Sequence, residues 1–225
     1  GNVDAVTDLP TQDVARMRST PALSVLDGPE VRTIFFGFDL GSDELKYAPK
    51  GKNFFKDVRV RKALSMAIDR TAIQRSIMRG LSVPASLIIA PGVNGYNADL
   101  DKTGPADVEG AKKLLADAGY PNGFEVDLYC TADRLPGDGA ICQGLGQMLT
   151  QVGIKTNVNA ISKTVYFPAQ ARLEYSMFMN GWGTLTGEAS YTLGGLAHSN
   201  NPDVKLGAYN RIEYHNEEVD RLLQT

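Results

Sequence analysis

Four sets of residues have types and spacing that could carry chemistry. Cys130 closes an alternating strand pattern, and Cys142 lies in the first turn of the helical pattern that follows. Neighbouring elements of this kind can bring two Cα atoms within the roughly 4.4–6.8 Å that a bridge needs. In an oxidising compartment a disulfide is the favoured state, with two buried free thiols as the alternative. His198, in Ala197-His198-Ser199-Asn200-Asn201-Pro202-Asp203, could hold a metal with Asp203. Structural metal sites need three or four ligands, so a solvated loop histidine is expected instead. Arg134 follows the strand pattern and could take a ligand carboxylate bidentately; the alternative is a solvated loop arginine. Glu188 could act with Asp203 as a hydrolytic carboxylate pair.

Other chemistry is disfavoured. Gly137-Asp138-Gly139 has two glycines of a dinucleotide turn but lacks the third. The loop before it is also too long for that turn, so these glycines read as helix-opening residues. Neither Gly-x-Ser-x-Gly nor His-Glu-x-x-His occurs, and the chain has only 2 histidines. The stretch 180–190 is more suggestive. Trp182 sits between Gly181 and Gly183, where a large side chain can project into a cleft. Asn180, Thr184 and Glu188 add an amide, a hydroxyl and a carboxylate, a plausible lining for a polar ligand, with a plain surface loop as the alternative.

These residues need elements to position them. Val-Arg-Thr-Ile-Phe-Phe-Gly-Phe at 31–38 is rich in β-branched and aromatic residues and predicts a strand. Phe36 and Phe38 share one of its faces; core is their default reading, and the strand at 34–39 is a secondary candidate for ligand contact. Residues 57–79 predict one helix from the spacing of Val60, Ala63, Leu64, Ala67, Ile68, Ala72 and Ile77, capped by Asp57 and ended by Gly80. A helix over 11–18 would take Thr11 as its N-cap. Lys46 to Asn53 and 81–106 read as irregular. Asp107 opens another helix, which Gly119 ends.

Phe124, Val126, Leu128 and Cys130 alternate, as do Ile154, Thr156, Val158 and Ala160, with a helix over 140–152 between them. This is a β-α-β unit with parallel strands and an expected right-handed crossover, and ligands gather beyond the carboxyl ends of such strands. A helix within 163–173, bent or started by Pro168, a strand over 176–182 and a last helix capped by Asn216 complete the pattern. The fold class is α/β.

Composition agrees. Of 225 residues, 43% are hydrophobic and 22% charged, enough apolar content for a packed core. With 23 basic against 26 acidic side chains the net charge is −3, which gives no general grip on nucleic acid. No apolar run approaches the roughly 20 residues that span a bilayer. No secretory signal opens the chain. It starts Gly1-Asn2-Val3-Asp4 and stops at Leu222-Leu223-Gln224-Thr225 within a helical pattern, so both ends read as cuts in a longer protein.

The run Phe55-Lys56-Asp57-Val58-Arg59, continuing through Ala63-Leu64 to Ala67-Ile68-Asp69-Arg70, resembles the signature helix of the extracytoplasmic solute-binding proteins of peptide-type ABC importers. This is family 5, whose members bind dipeptides, oligopeptides or nickel. Ala111-Lys112-Lys113-Leu114-Leu115 through Ala118-Gly119-Tyr120-Pro121-Asn122-Gly123-Phe124 is similar to the family's helix-turn-strand segment. Gly1-Asn2-Val3-Asp4-Ala5, Gly153-Ile154-Lys155 and Gly181-Trp182 match further landmarks in order. The resemblance covers nearly the whole chain.

It implies a type II periplasmic binding protein: two lobes that close on a solute by a hinge and hand it to a permease in the inner membrane. Residues 1 to about 30 would be the tail of the first lobe and the crossover. Residues 31–225 would form the C-terminal lobe, a mixed sheet flanked by helices, incomplete at its C-terminus. It implies no enzyme activity and no cofactor. The implied ligand is a peptide or peptide-like solute, with a binding set of Phe36, Phe38, Arg134, Asn180, Gly181, Trp182, Thr184 and Glu188. One departure matters. Peptide-binding members commonly carry an aspartate three residues past the tryptophan, paired with the ligand's α-ammonium group; here that residue is Leu185. A leucine cannot neutralise a buried ammonium, so Glu188 would have to substitute, or the ligand would be a blocked peptide, an opine or a glycoconjugate.

Overall fold

The computed structural model describes residues 3–7, 9–46 and 53–225. Gly1-Asn2 of the first family landmark, and residues 47–52 of the expected Lys46–Asn53 loop, lie outside the described residues. Among the described residues, β1 Arg32–Phe38, β2 Glu125–Thr131, β3 Lys155–Ile161 and β4 Met177–Gly183 form one mixed sheet in the order β1-β4-β2-β3. β2 pairs in parallel with β3 and with β4, and β1 pairs antiparallel with β4. The β-α-β unit is present: α5 Asp138–Thr150 joins β2 to β3, with Cys130 opposite Ala160.

One sheet face carries an aliphatic core. Val126, Leu128 and Cys130 of β2 alternate inward and meet Met177 and Met179 of β4. Above them lie α5, α2 Val58–Ala67 and α4 Val108–Asp117, supplying Leu64, Leu115 and Leu149. Side-chain oxygens open α2 and α4 as their sequence suggests: Asp57 accepts from the Arg59 N–H, and Asp107 from the Gly110 N–H. Phe36 and Phe38 pack into this same core, Phe38 lying 4.9 Å from the Phe55 ring.

The opposite face holds an aromatic cluster. Tyr166 and Ala169 of α6 Lys163–Ala171 pack on Phe178, Tyr175 and Tyr129. α6 starts five residues before Pro168, which stands inside the helix rather than opening it.

Three local expectations fail for physical reasons. The single helix over 57–79 is broken: α2 stops at Ala67, and Ile68 and Asp69 turn extended, with ψ of 115° and 91°. The Asp69 carboxylate accepts from the Ala72 N–H at 2.8 Å and starts α3 Arg70–Ala72, which runs into a π-helical turn over Ile73–Ile77. An aspartate offers the backbone a bond outside the helix ladder, and apolar spacing that continues on both sides does not register the break. Thr11 is no cap. Pro10 occupies that position of α1 Thr11–Arg18, and the Thr11 hydroxyl donates to the Ile77 carbonyl at 3.4 Å. A helix absent from the expectation, α7 Ala189–Leu196, follows the 183–188 loop. Its Gly194 and Gly195 read as breakers but serve packing: a Cβ on Gly195 would stand 3.3 Å from the Trp182 ring. The last helix, α8 Glu217–Leu223, is capped by Asn216 as expected.

Candidate functional site

β2, β3 and β4 run the same way, so their carboxyl ends share one end of the sheet. The loop leaving β2 puts Arg134 there. Its guanidinium donates from Nη1 to Asn180 Oδ1 at 2.7 Å and from Nη2 to the Gly181 carbonyl at 2.9 Å. It also lies 4.9 Å above the Phe167 ring. Asn180 is anchored in turn. Its Nδ2 makes a long contact of 3.5 Å to Gln170 Oε1, Gln170 Nε2 donates to the Tyr166 hydroxyl at 3.1 Å, and that hydroxyl donates to the Met179 carbonyl at 2.8 Å. Gln170 and Tyr166 are buried, and burial pushes the Tyr166 phenol up, so it remains a donor.

Burial pulls the half-buried Arg134 guanidinium below its ordinary value. The nearby Arg32 charge acts the same way, while Tyr166 and Asp138 oppose it. Both acceptors of the guanidinium are neutral, and among the described residues no carboxylate forms an ion pair with it. The chemistry available is that of a cation held in a fork, able to receive an anionic group.

The remaining residues of the expected set divide. Gly181 and Asn180 belong to this cluster through the bonds just described. Trp182 packs between Tyr191 of α7 and Tyr209, with centroids 5.4 and 5.0 Å away, and its buried Nε1 has no hydrogen-bond partner among the described residues. The Thr184 hydroxyl is used internally, 2.8 Å from the Thr192 hydroxyl. Glu188 is exposed and accepts from Asn94 Nδ2 at 2.8 Å. Main-chain bonds from Asn94 N to Gly187 O and from Ala189 N to Asn94 O tie the irregular 81–106 stretch to this loop. Leu185 is 84% exposed. Phe36 and Phe38 stand apart, on the sheet face opposite Asn180, inside the aliphatic core.

Cys130 and Cys142 are disulfide-bonded with a Cα separation of 6.3 Å, closing the base of the loop that carries Arg134. His198 is not a solvated loop residue: it is 1% exposed. Its Nδ1 lies 2.6 Å from the Ser199 carbonyl, which can only accept, so Nδ1 carries the hydrogen; Nε2 then accepts from Gln224 Nε2 at 2.9 Å. Asp203 is exposed and bonded through its N–H to Asn201. Among the described residues no His, Cys, Asp and Glu cluster could hold a metal, and no bond or ion pair joins Asp203 to Glu188. An open cleft of about 300 Å³, lined in part by Ser199, Asn210, Arg211 and His215, includes none of the expected binding residues.

The residues missed in the sequence are Tyr166, Phe167 and Gln170. Their signal was a glutamine four residues after a tyrosine, on the side of α6 that also holds Ala169.

The profile described as bacterial extracellular solute-binding proteins, family 5 middle, matches residues 1–203. This chain belongs to that family. Among curated relatives of the family 5 chain is the glutathione-binding protein GsiB of Escherichia coli (strain K12), 34% identical over 174 residues, 75% of this chain and 33% of that protein. The heme-binding protein A of Haemophilus influenzae is 28% identical over 226 residues, 99% of this chain and 39% of that protein. The chain therefore spans between a third and two-fifths of the length of these relatives. Two solved structures share its fold. The periplasmic binding protein DppA of Helicobacter pylori, in complex with the peptide STSA, has a TM-score of 0.78 at 22% identity over 95% of this chain and 39% of that one. The binding protein AgaA of A. tumefacien R10, in complex with agropinic acid, has a TM-score of 0.72 at 26% identity over 99% and 43%. The architecture is that of a type II periplasmic binding protein. Among the described residues no helix is long and apolar enough to cross a membrane.

Proposed function

We propose that the family 5 chain is the C-terminal lobe of an extracytoplasmic solute-binding protein, with residues 1 to about 30 as the tail of the first lobe and the crossover. The whole protein would capture a peptide or peptide-like solute between two lobes and deliver it to an ABC permease of the inner membrane, with no catalytic step. The segment before β1 supports the division: Val3, Val6, Leu23 and Leu26 are exposed, Leu26 at 94%, as expected of apolar residues that another body covers. The observation that carries the binding reading is the Arg134 fork, a half-buried cation with neutral partners at the carboxyl ends of parallel strands. Asn180, Gly181 and Trp182 form its surroundings, with Glu188 at the rim.

A specific observation favours a second ligand class. Leu185 offers no charge to an ammonium group, and a relative above a quarter identity was solved with agropinic acid. A carboxylate-bearing solute without a free α-amino group, such as an opine or glycoconjugate, fits Arg134 equally well.

Mass spectrometry of the solute that co-purifies with the two-lobe protein tests the reading; its expected result is a small anionic or zwitterionic compound bearing a carboxylate. The lobe alone offers half the contacts and should show weak or undetectable binding by calorimetry. Submicromolar affinity of the lobe alone would falsify the half-site reading.

A further inference from the structure

Asp138 opens α5, and its two oxygens serve different elements. Oδ1 accepts from the adjacent Gly139 N–H at 2.9 Å, within the helix. Oδ2 turns out of the helix toward the loop before it. It accepts from the Thr131 hydroxyl at 2.8 Å, from the Arg134 N–H at 3.0 Å and from the Leu135 N–H at 3.1 Å. The residue is 3% exposed, and a buried carboxylate persists only when donors replace its lost water. An acidic residue that merely opens a helix needs donors from that helix alone. Three donors from 131–135 go beyond this requirement. They fix the backbone on either side of the Arg134 Cα, while the Cys130–Cys142 bond closes the base of the same loop.

We propose that Asp138 is a positioning residue for anion capture: it holds the 131–135 backbone so that Arg134 is already forked toward Asn180 and Gly181 before a solute arrives. This rests on Arg134 being the anion receptor. Preorganisation of this kind raises affinity by removing the ordering that binding would otherwise impose.

The test uses the two-lobe protein and two readouts. Without solute, phenylglyoxal labelling of Arg134 is followed by peptide mapping, with exposed Arg79 of the same lobe as the internal standard. With solute, calorimetry compares the dipeptide Met-Leu with its C-terminal amide. Asp138→Asn should raise Arg134 labelling several-fold, weaken Met-Leu about tenfold, and leave the amide within about twofold. Thr131→Val removes one donor and keeps the carboxylate, so it should move labelling and Met-Leu affinity in the same directions by about threefold, and it serves if Asp138→Asn does not fold. Folded variants with unchanged Arg134 labelling would overturn the positioning role. A wild type that binds neither probe, or both equally, while Arg134 labelling still rises in the variants, would overturn the carboxylate reading of Arg134 and leave the positioning role supported.

Discussion

The two faces of the sheet are built from the same strands and do opposite work. On the α2, α4 and α5 side, Val126, Leu128, Met177 and Met179 belong to one buried apolar cluster. Their contribution is non-directional, roughly 1.5–3 kcal/mol for each large side chain fully buried. On the α6 side, the residues one step along the same strands lead to Asn180, Gln170, Tyr166 and Arg134, joined by bonds that each require one orientation. Beside its aromatic cluster, that face carries the directional bonds that place one charged group. A sheet with alternating side chains can divide fold and site between its faces without spending separate elements on them.

Substitutions can break or sharpen this division. The largest effect belongs to the aliphatic face: Leu128→Ala should cost about 2–5 kcal/mol in denaturant unfolding. It should leave solute affinity unchanged wherever the protein is folded, and a tenfold affinity loss in folded protein would show that the faces are not separate. Removing the disulfide with Cys130→Ser and Cys142→Ser should cost about 2–3 kcal/mol for a loop of this length. Because the bond lies in the aliphatic core and ties together the two elements that flank the Arg134 loop, this pair should affect stability and affinity together. Gln170→Leu should cost about 1–3 kcal/mol, since the buried Tyr166 hydroxyl loses its donor and half-buried Asn180 loses its contact with Oε1; solute affinity should fall with it, measured by calorimetry.

Acid should separate the regions further. The Lys163 N–H and then the Ser162 hydroxyl hold the Asp133 carboxylate below its ordinary 3.8. The stabilisation is complete above that value and is lost as pH falls through the lower folded-state value. Hydrogen exchange should therefore show the Lys163 amide losing protection below about pH 4 while the Leu128 amide keeps it. The smallest effect is Glu188→Gln, within about 0.5 kcal/mol in stability at this exposed position. A loss of affinity for a cationic solute without loss for its neutral analogue would give Glu188 the ammonium-binding role that Leu185 cannot fill.

The aliphatic face was the legible one. Alternation in β2 and β3, and the caps at Asp57, Asp107 and Asn216, are local signals that tertiary contacts reinforce. The placement of Arg134 beyond a parallel strand followed from the same pattern. The polar face was harder because its logic is relational: Gln170 gains meaning only when Asn180, ten residues away, arrives beside it. His198 was misjudged for the same reason, since its partner Gln224 lies 26 residues on. The break at Asp69 escaped because side-chain capping leaves hydrophobic spacing intact, and α7 because glycines that permit close approach look like glycines that end helices.

β1 runs against its three companions, so Arg32, where the polypeptide joins the sheet, lies opposite Gly183, where β4 finishes. The inbound strand is thereby threaded through the same rim that gathers Arg134 and Asn180. A pull on the segment before Arg32 is delivered at that rim directly, with no need for a signal to traverse the interior.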